Sequence, residues 1–292
     1  MPDPVLRRRT RSVTFVRSVR LLACEVEVDL DSAPLSRWLD ARLPDADQDF
    51  PISVRSRLTV REAGDEYEIR IDDGAPQRVA GLGEAGETVL AHLNRRALRA
   101  LGGFTKVHAG CGRWHGRRFL VVGPRRAGKS TLMASLLCEG AEVEGDELVV
   151  MQESQATAYP RRFGIRAGGV ALVPRLAAAR PESGGGFYLS PSALGYPWRI
   201  APGPVDAVFF LEPNHGGPTR VEPCPRYLMV QRVMAQSEAP HGGGRPWIRE
   251  VSETIGRARC QTLYVGRLDG AVAAVREGLE ASPAASMPTR VQ

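Results

Sequence analysis

Residues 123–130 have the types and spacing of a phosphate-binding loop of the P-loop or Walker A kind. They read Gly-Pro-Arg-Arg-Ala-Gly-Lys-Ser and match G-x-x-x-x-G-K-[ST] at every fixed position. The glycines let backbone N–H groups turn toward phosphate oxygens, Lys129 can reach the β- and γ-phosphates, and the Ser130 hydroxyl can ligate Mg²⁺. The sequence therefore predicts that a nucleoside triphosphate, which we expect to be ATP, binds with Mg²⁺ to Gly123, Pro124, Arg125, Arg126, Ala127, Gly128, Lys129, Ser130 and Thr131.

A strand and a helix flank this loop in the order that such a site needs. The apolar residues 119–122 predict a buried strand that runs into the loop, and residues 130–138 predict a helix that leaves it. The N-terminus of that helix would point at the phosphates and add a partial positive charge. A fortuitous glycine turn is the less favoured interpretation. Arg125 and Arg126 could contact phosphate, although solvent-facing side chains explain them equally well.

The metal needs a carboxylate besides Ser130, and the sequence offers one at two places. Glu212 ends an apolar, strand-like run at the long spacing typical of switch and transport ATPases. Asp146 and Glu147 follow Ser130 after only one helix and one turn. This short spacing predicts that Asp146 lies on the strand beside the loop strand and faces the γ-phosphate, with His108 on a neighbouring strand. Both positions stay open at this point.

Four segments together resemble the core of HPr kinase/phosphorylase-related proteins: residues 107–109, 119–132, 136–140 and 145–150. That family has a histidine-bearing strand, a phosphate loop, a helix ending in a glycine and a paired acid on the next strand. The resemblance spans about residues 105–151. It implies an α/β fold whose core is a mixed β-sheet with flanking helices.

The resemblance also implies an ATP- and Mg²⁺-dependent kinase that transfers the γ-phosphoryl group to a hydroxyl, as of serine, on a peptide, protein or small molecule. It implies that Asp146 handles the transferred proton, that Glu147 assists the metal beside Ser130, and that His108 and Lys129 lie near the γ-phosphate. The acid pair is Asp-Glu here rather than the family's usual Asp-Asp. The family's arginine-rich C-terminal loop has at most a glycine-rich remnant at residues 242–246, so we expect a divergent member whose acceptor is not HPr.

Around this core the sequence predicts further parts. Residues 1–82 have a strand-like pattern with a hairpin turn at Gly64-Asp65 and predict a small β-rich N-terminal domain. Residues 83–282 would form the nucleotide-binding domain, which begins with a helix over 84–101 and contains a loop at 181–186. Residues 283–292 have the composition of a flexible tail.

Composition narrows the function classes. The chain has 292 residues, 43% hydrophobic and 25% charged, as is ordinary for a globular protein. It contains neither an apolar stretch long enough to span a membrane nor a signal peptide, so we expect a cytoplasmic protein without a membrane partner. The five cysteines lack metal-ligand spacing. The charge of +6 is spread out apart from Arg7, Arg8, Arg9 and Arg11, so nucleic acid is not an expected partner, and a homo-oligomer is left open.

Three functions compete at this stage: the kinase, a nucleotide-binding regulatory or assembly module that transfers nothing, and a plain NTPase built on Glu212. The kinase is favoured because His108, Lys129, Ser130 and Asp146 could converge on one γ-phosphate. Arg161, Arg162 and Arg166 could bind an acidic acceptor, although such a charge run is more typical of a solvated face.

Overall fold

The computed structural model describes residues 14–179, 187–240 and 243–280. The basic cluster Arg7, Arg8, Arg9 and Arg11, the predicted loop 181–186, part of the glycine-rich segment 242–246 and the predicted tail lie outside the described residues. The chain divides into two compact units. One consists of residues up to Leu43 together with Ile52–Ala100, and the other of Pro44–Pro51 together with Leu101–Gln292.

The fold is mixed α/β, as predicted. In chain order the described strands are β1 (Phe15–Leu21), β2 (Cys24–Leu30), β3 (Asp47–Gln48), β4 (Val54–Ala63), β5 (Glu66–Ile71), β6 (Gln77–Ala80), β7 (Thr105–Val107), β8 (Ala109–Trp114), β9 (Arg117–Val122), β10 (Glu142–Gly145), β11 (Val149–Gln152), β12 (Gln155–Ala158), β13 (Phe163–Ile165), β14 (Phe187–Leu189), β15 (Arg199–Ile200), β16 (Ala207–Pro213), β17 (Arg220–Pro223), β18 (Ser237–Glu238) and β19 (Arg259–Val265). The helices are α1 (Ala33–Asp40), α2 (Gly81–Ala100), α3 (Lys129–Cys138), α4 (Ala167–Leu172), α5 (Arg226–Ala235), α6 (Arg245–Thr254) and α7 (Leu268–Glu280), with 3₁₀ helices at Pro174–Ala179 and Pro191–Leu194.

The first unit is a sheet with α1 and α2 packed against it. Its strand order is β1-β2-β4-β5-β6, in which β2 and β4 are parallel and the other neighbours are antiparallel. Val26 and Val28 of β2 are buried because alternate residues of a strand point to the same face, here the covered one. In α2, Val89 and Leu93 lie four residues apart and are buried together.

The position of α2 moves the boundary between the two units. The sequence divided the chain near residue 82 and placed this helix in the nucleotide-binding domain. In the structure α2 packs on β2 and β5 and on α1, so the first unit extends to Ala100. Gly86 permits this packing, because a Cβ at that position would lie 2.4 Å from the ring of Trp38 in α1.

The main sheet of the second unit has the strand order β10-β8-β9-β16-β19-β17. β9, β16 and β19 run parallel to one another, while β8 and β17 pair antiparallel with β9 and β19. Phe119, Val121 and Phe209 have no exposed surface. Such continuous apolar strands are typical of parallel strands covered on both faces.

One predicted neighbour in this sheet is wrong. The strand leading to Asp146 was expected directly beside the loop strand, but β8 lies between β9 and β10. The cause is the tight turn that joins β8 to β9, in which His115 and Gly116 have φ values of 48° and 77°. Two successive positive φ values are typical of the type I′ turns that fold neighbouring strands into a hairpin.

A second sheet has the strand order β12-β11-β7-β18. His108 lies between β7, which belongs to this sheet, and β8 of the main sheet. Two small pairs, β13 with β14 and β3 with β15, complete the described strands. The apolar run that ends at Glu212 forms the strand β16, as its pattern predicts. Among the described residues, no helix has the length and apolar character that a membrane crossing requires.

Candidate functional site

The glycine-rich loop joins the end of β9 to the start of α3, as its sequence predicts. Two of its glycines are required by the backbone. A Cβ on Gly123 would lie 3.0 Å from the carbonyl oxygen of Leu211 on the adjacent strand β16, so a larger residue would push the loop off the sheet. Gly128 has φ +93° immediately before α3, a conformation that other residues rarely adopt. The loop therefore passes close to the sheet and turns sharply into the helix.

Lys129 lies folded against this loop. Its side chain is 5% exposed, and its Nζ donates hydrogen bonds to the carbonyl oxygens of Gly123 at 2.7 Å and Pro124 at 3.0 Å. Burial lowers the pKa of Lys129 from 10.5 to about 8, and the charges of Asp146 and Glu147 partly oppose this decrease. An ammonium group has three protons, so one is left for an anion in front of the loop.

Asp146 reaches the same edge of the sheet as the loop. Since β8 is antiparallel to both of its neighbours, β9 and β10 point in the same direction and their carboxyl ends meet at one edge. Asp146 is 4% exposed, and the Ser130 hydroxyl lies close enough to its carboxyl to lower its pKa. Burial raises the pKa of Asp146 from 3.8 to about 6, although the Ser130 contact lowers it. The carboxyl is therefore a stronger base than an ordinary aspartate.

A buried ion pair lies immediately before Asp146 in the sequence. Glu144 is 1% exposed, and its carboxylate lies 2.6 Å from Nη1 of Arg118, which is 4% exposed. Arg113 approaches the other carboxylate oxygen at 3.1 Å, and Nε1 of Trp198 donates to the Glu144 carbonyl at 2.9 Å. The pairing of β10 with β8 is shifted between Val143 and Gly145, and such irregularities redirect the side chains that follow. This cluster fixes the backbone that leads into Asp146.

Sequence reasoning did not single out Glu144 or Arg118. The available signal was the presence of charged residues on strands that are otherwise apolar, since such residues are seldom fully buried unless they are paired. A single sequence shows that these charged residues lie on apolar strands, but it does not show which residue pairs with which. The pairing becomes visible only when β8 brings β9 and β10 to its two sides.

His108 and Glu147 are linked through the backbone. Nδ1 of His108 lies 2.8 Å from the Glu147 carbonyl oxygen. Because a carbonyl only accepts, Nδ1 carries the proton and the neutral ring keeps its lone pair on Nε2. Burial and then the charge of Lys129 lower the pKa of His108, which favours this neutral form. The Glu147 side chain is 46% exposed and pairs with Arg161 at 2.8 Å.

Glu212, the alternative acid, is engaged elsewhere. Its carboxylate lies 2.6 Å from Nη2 of Arg232, whose Nη1 also donates to the Thr262 hydroxyl at 2.7 Å. Asp146, and not Glu212, lines the same cleft as Ser130.

Two clefts flank the start of α3. The first has a volume of about 880 Å³. It is lined by Glu147 and by the four residues that the sequence predicted to converge, His108, Lys129, Ser130 and Asp146. The second, about 810 Å³, lies toward β19 and α7 and has an apolar floor that includes Leu211, Val265 and Val272. Arg126, Gly128 and Thr131 border both clefts. A long ligand bound across the loop could therefore reach from one cleft into the other.

Within the described part of the chain, no group of three or more His, Cys, Asp or Glu side chains could hold a metal ion. The oxygen atoms around Ser130 suit a different arrangement. Mg²⁺ is usually held by one or two protein oxygens together with phosphate oxygens and water, and Ser130 and Glu147 are donors of that kind.

Comparisons with known proteins give little further information. No family model and no curated protein matches the chain. Among solved structures, the chain is similar to the Hpr(Ser) kinase/phosphatase from Coxiella burnetii, with a TM-score of 0.30 and 12% sequence identity, over 59% of this chain and 94% of that one. At this level the likeness carries no weight for fold or function, which rest on the residues described above.

Proposed function

We propose that the protein is a phosphotransferase that moves the γ-phosphoryl group of ATP to a hydroxyl of an acceptor molecule. The observation that carries the proposal is the meeting of Lys129, Ser130 and a buried, basic Asp146 at one edge of the sheet. A site that only binds Mg²⁺ and nucleotide needs a carboxylate to hold the metal, but it does not need that carboxylate to act as a base. Phosphoryl transfer needs one to accept the proton of the attacking hydroxyl.

Each group has a part in this reaction. Backbone N–H groups of the loop and the third proton of Lys129 bind the phosphates, aided by the partial positive charge at the start of α3. Asp146 takes the hydroxyl proton as the acceptor oxygen forms its bond to the γ-phosphorus, the bond from that phosphorus to the bridging oxygen breaks, and ADP leaves with the electron pair. His108 donates to the Glu147 carbonyl and so ties the acid-bearing segment to the junction of β7 and β8.

Mg²⁺ fits the donors that this site presents. Ser130 supplies a hydroxyl and Glu147 a half-exposed carboxylate, which are the hard oxygen ligands that this ion prefers. When bound, the ion would offset the negative charge of the β- and γ-phosphates. The Glu147 carboxylate pairs with Arg161 in the absence of metal, so on binding Mg²⁺ Glu147 would exchange the guanidinium for the metal ion.

The proposal is tested by measuring ATP binding and phosphate release or transfer together in the parent, Asp146→Asn and Glu212→Gln. We expect Asp146→Asn to bind ATP normally and to lose activity by about 10²- to 10⁴-fold, the usual contribution of a positioned base. Glu212→Gln should keep both. A plain NTPase built on Glu212 would give the reverse pattern, and a binding module would show no turnover in any of the three proteins.

A further inference from the structure

The first cleft carries an excess of positive charge. Five cations border it, Arg125, Arg126, Lys129, Arg161 and Arg166, against the two acids Asp146 and Glu147. Arg125 and Arg126 belong to the loop itself and so lie where a triphosphate would bind. Arg161 and Arg166 come from another wall of the cleft, on either side of β13. A second ligand bound in the cleft would therefore meet these two side chains.

The two arginines of this wall differ in their partners. Arg161 is held by Glu147 at 2.8 Å and is close enough to Asp146 to lower its pKa. The Arg166 side chain is exposed and forms no ion pair with any residue that the structure describes. A guanidinium that lines a cleft and lacks a carboxylate partner is suited to bind a carboxylate of a ligand, since it can donate two parallel hydrogen bonds.

The same wall offers backbone to an extended ligand. Among the residues that the structure describes, β13 pairs with β14 on one edge and with no strand on its other edge. Gly164 and Ile165 of β13 and Phe187 and Tyr188 of β14 line the cleft. A Cβ at Gly164 would meet no atom within 4 Å, so there is free space beside this residue. A peptide in strand conformation can add to such an edge through main-chain hydrogen bonds.

We propose, as an extension of the phosphotransferase function, that the acceptor is an extended acidic peptide. Its serine hydroxyl would face Asp146, and an aspartate or glutamate close to that serine would pair with Arg166. The charge of the cleft selects the acid, and the open ribbon beside it selects an extended chain rather than a small molecule. The nucleotide is bound by the loop and does not depend on Arg166.

The experiment uses synthetic serine peptides in matched pairs that differ only by Glu or Gln next to the serine. Their binding is measured by fluorescence anisotropy with Mg²⁺ and a non-hydrolysable ATP analogue at saturation. We expect the parent to bind the Glu peptides about 10-fold or more tightly than the Gln peptides at low salt, because a charge-assisted contact is lost. Arg166→Gln should reduce this preference to about 3-fold or less. Arg249→Gln, which removes the same charge from an exposed position on α6, should keep it.

Three results would overturn the inference: equal binding of the two peptide types by the parent, binding of neither type, or an unchanged preference in Arg166→Gln. Loss of analogue binding in Arg166→Gln would also overturn it, because the arginine would then serve the nucleotide. Transfer from ATP is measured with the same peptides. Transfer without an acidic preference would refute only the acceptor class, whereas preferential binding without transfer would refute only the phosphotransferase function.

Discussion

Replacing Asp146 by Asn is expected to stabilise the ligand-free protein. The side chain is 4% exposed, and burial raises the pKa of its carboxyl from 3.8 to about 6. At pH 7 the carboxyl is mostly ionised in a surrounding that disfavours its charge. Since a difference of 1 in pKa corresponds to about 1.4 kcal/mol, this ionisation lowers the free energy of unfolding by about 3 kcal/mol. Asparagine has nearly the same shape and no charge, so it removes this penalty.

The stability that Asp146→Asn gains over the parent must depend on pH in a definite direction. The folded-state pKa lies above the unfolded one, so protonation favours the folded protein. The stabilising contribution of the neutral carboxyl is full below pH 3.8 and is lost as the pH rises through about 6. Relative to the parent, Asp146→Asn should therefore be more stable by about 3 kcal/mol at pH 7 and by less than about 1 kcal/mol near pH 4.

The assay is urea unfolding in the presence of EDTA and without nucleotide, at several values between pH 4 and pH 8. Glu147→Gln is the matched control, because it removes the neighbouring charge from a side chain that is 46% exposed. Its effect should stay within about 1 kcal/mol, as is usual for an exposed ion pair. The reasoning is refuted if Asp146→Asn is less stable than the parent at pH 7, or if its gain is the same at pH 4.

Two further predictions concern packing, one inside each of the two units. Gly86→Ala should lower the free energy of unfolding by about 1 to 3 kcal/mol, because its Cβ would overlap the ring of Trp38; Gly83→Ala in the same helix meets no atom within 4 Å and should be neutral or stabilising by up to about 1 kcal/mol. Equal effects of the two alanines in thermal unfolding would contradict this packing. Arg118→Met should lower the free energy of unfolding by about 3 kcal/mol, since it leaves the buried Glu144 with only its partner Arg113. A loss below about 1 kcal/mol in urea unfolding would show that the ion pair does not hold the end of β10.

The phosphate loop and its flanking elements were predictable because the required chemistry is local. The apolar run of β9, the glycines of the loop and the helix that starts at Lys129 are neighbours in the chain. The hairpin at Gly64 was predictable for the same reason. The position of Asp146 near Ser130 followed from the short connection between them, which is one helix and one turn long.

Features that depend on contacts between residues far apart in the chain could not be predicted from the sequence. The pattern of β8 shows that it is a strand but does not show that it separates β9 from β10. The buried partners of Glu144 come from β8 and β9, and a single sequence does not reveal which charges meet. The assignment of α2 to the first unit depends on the missing side chain of Gly86, which only matters once Trp38 is placed against it.

Calorimetric titration of Mg²⁺–ATP tests most directly the central claim that residues 123–130 bind a triphosphate. The chain contains only two lysines, Lys106 and Lys129, so each can be replaced by alanine as the other's control. We expect Lys129→Ala to lose about 100-fold or more in affinity, because it removes the ammonium that meets the phosphates, and Lys106→Ala to bind within about 2-fold of the parent. Equally tight binding by Lys129→Ala and the parent would contradict the account.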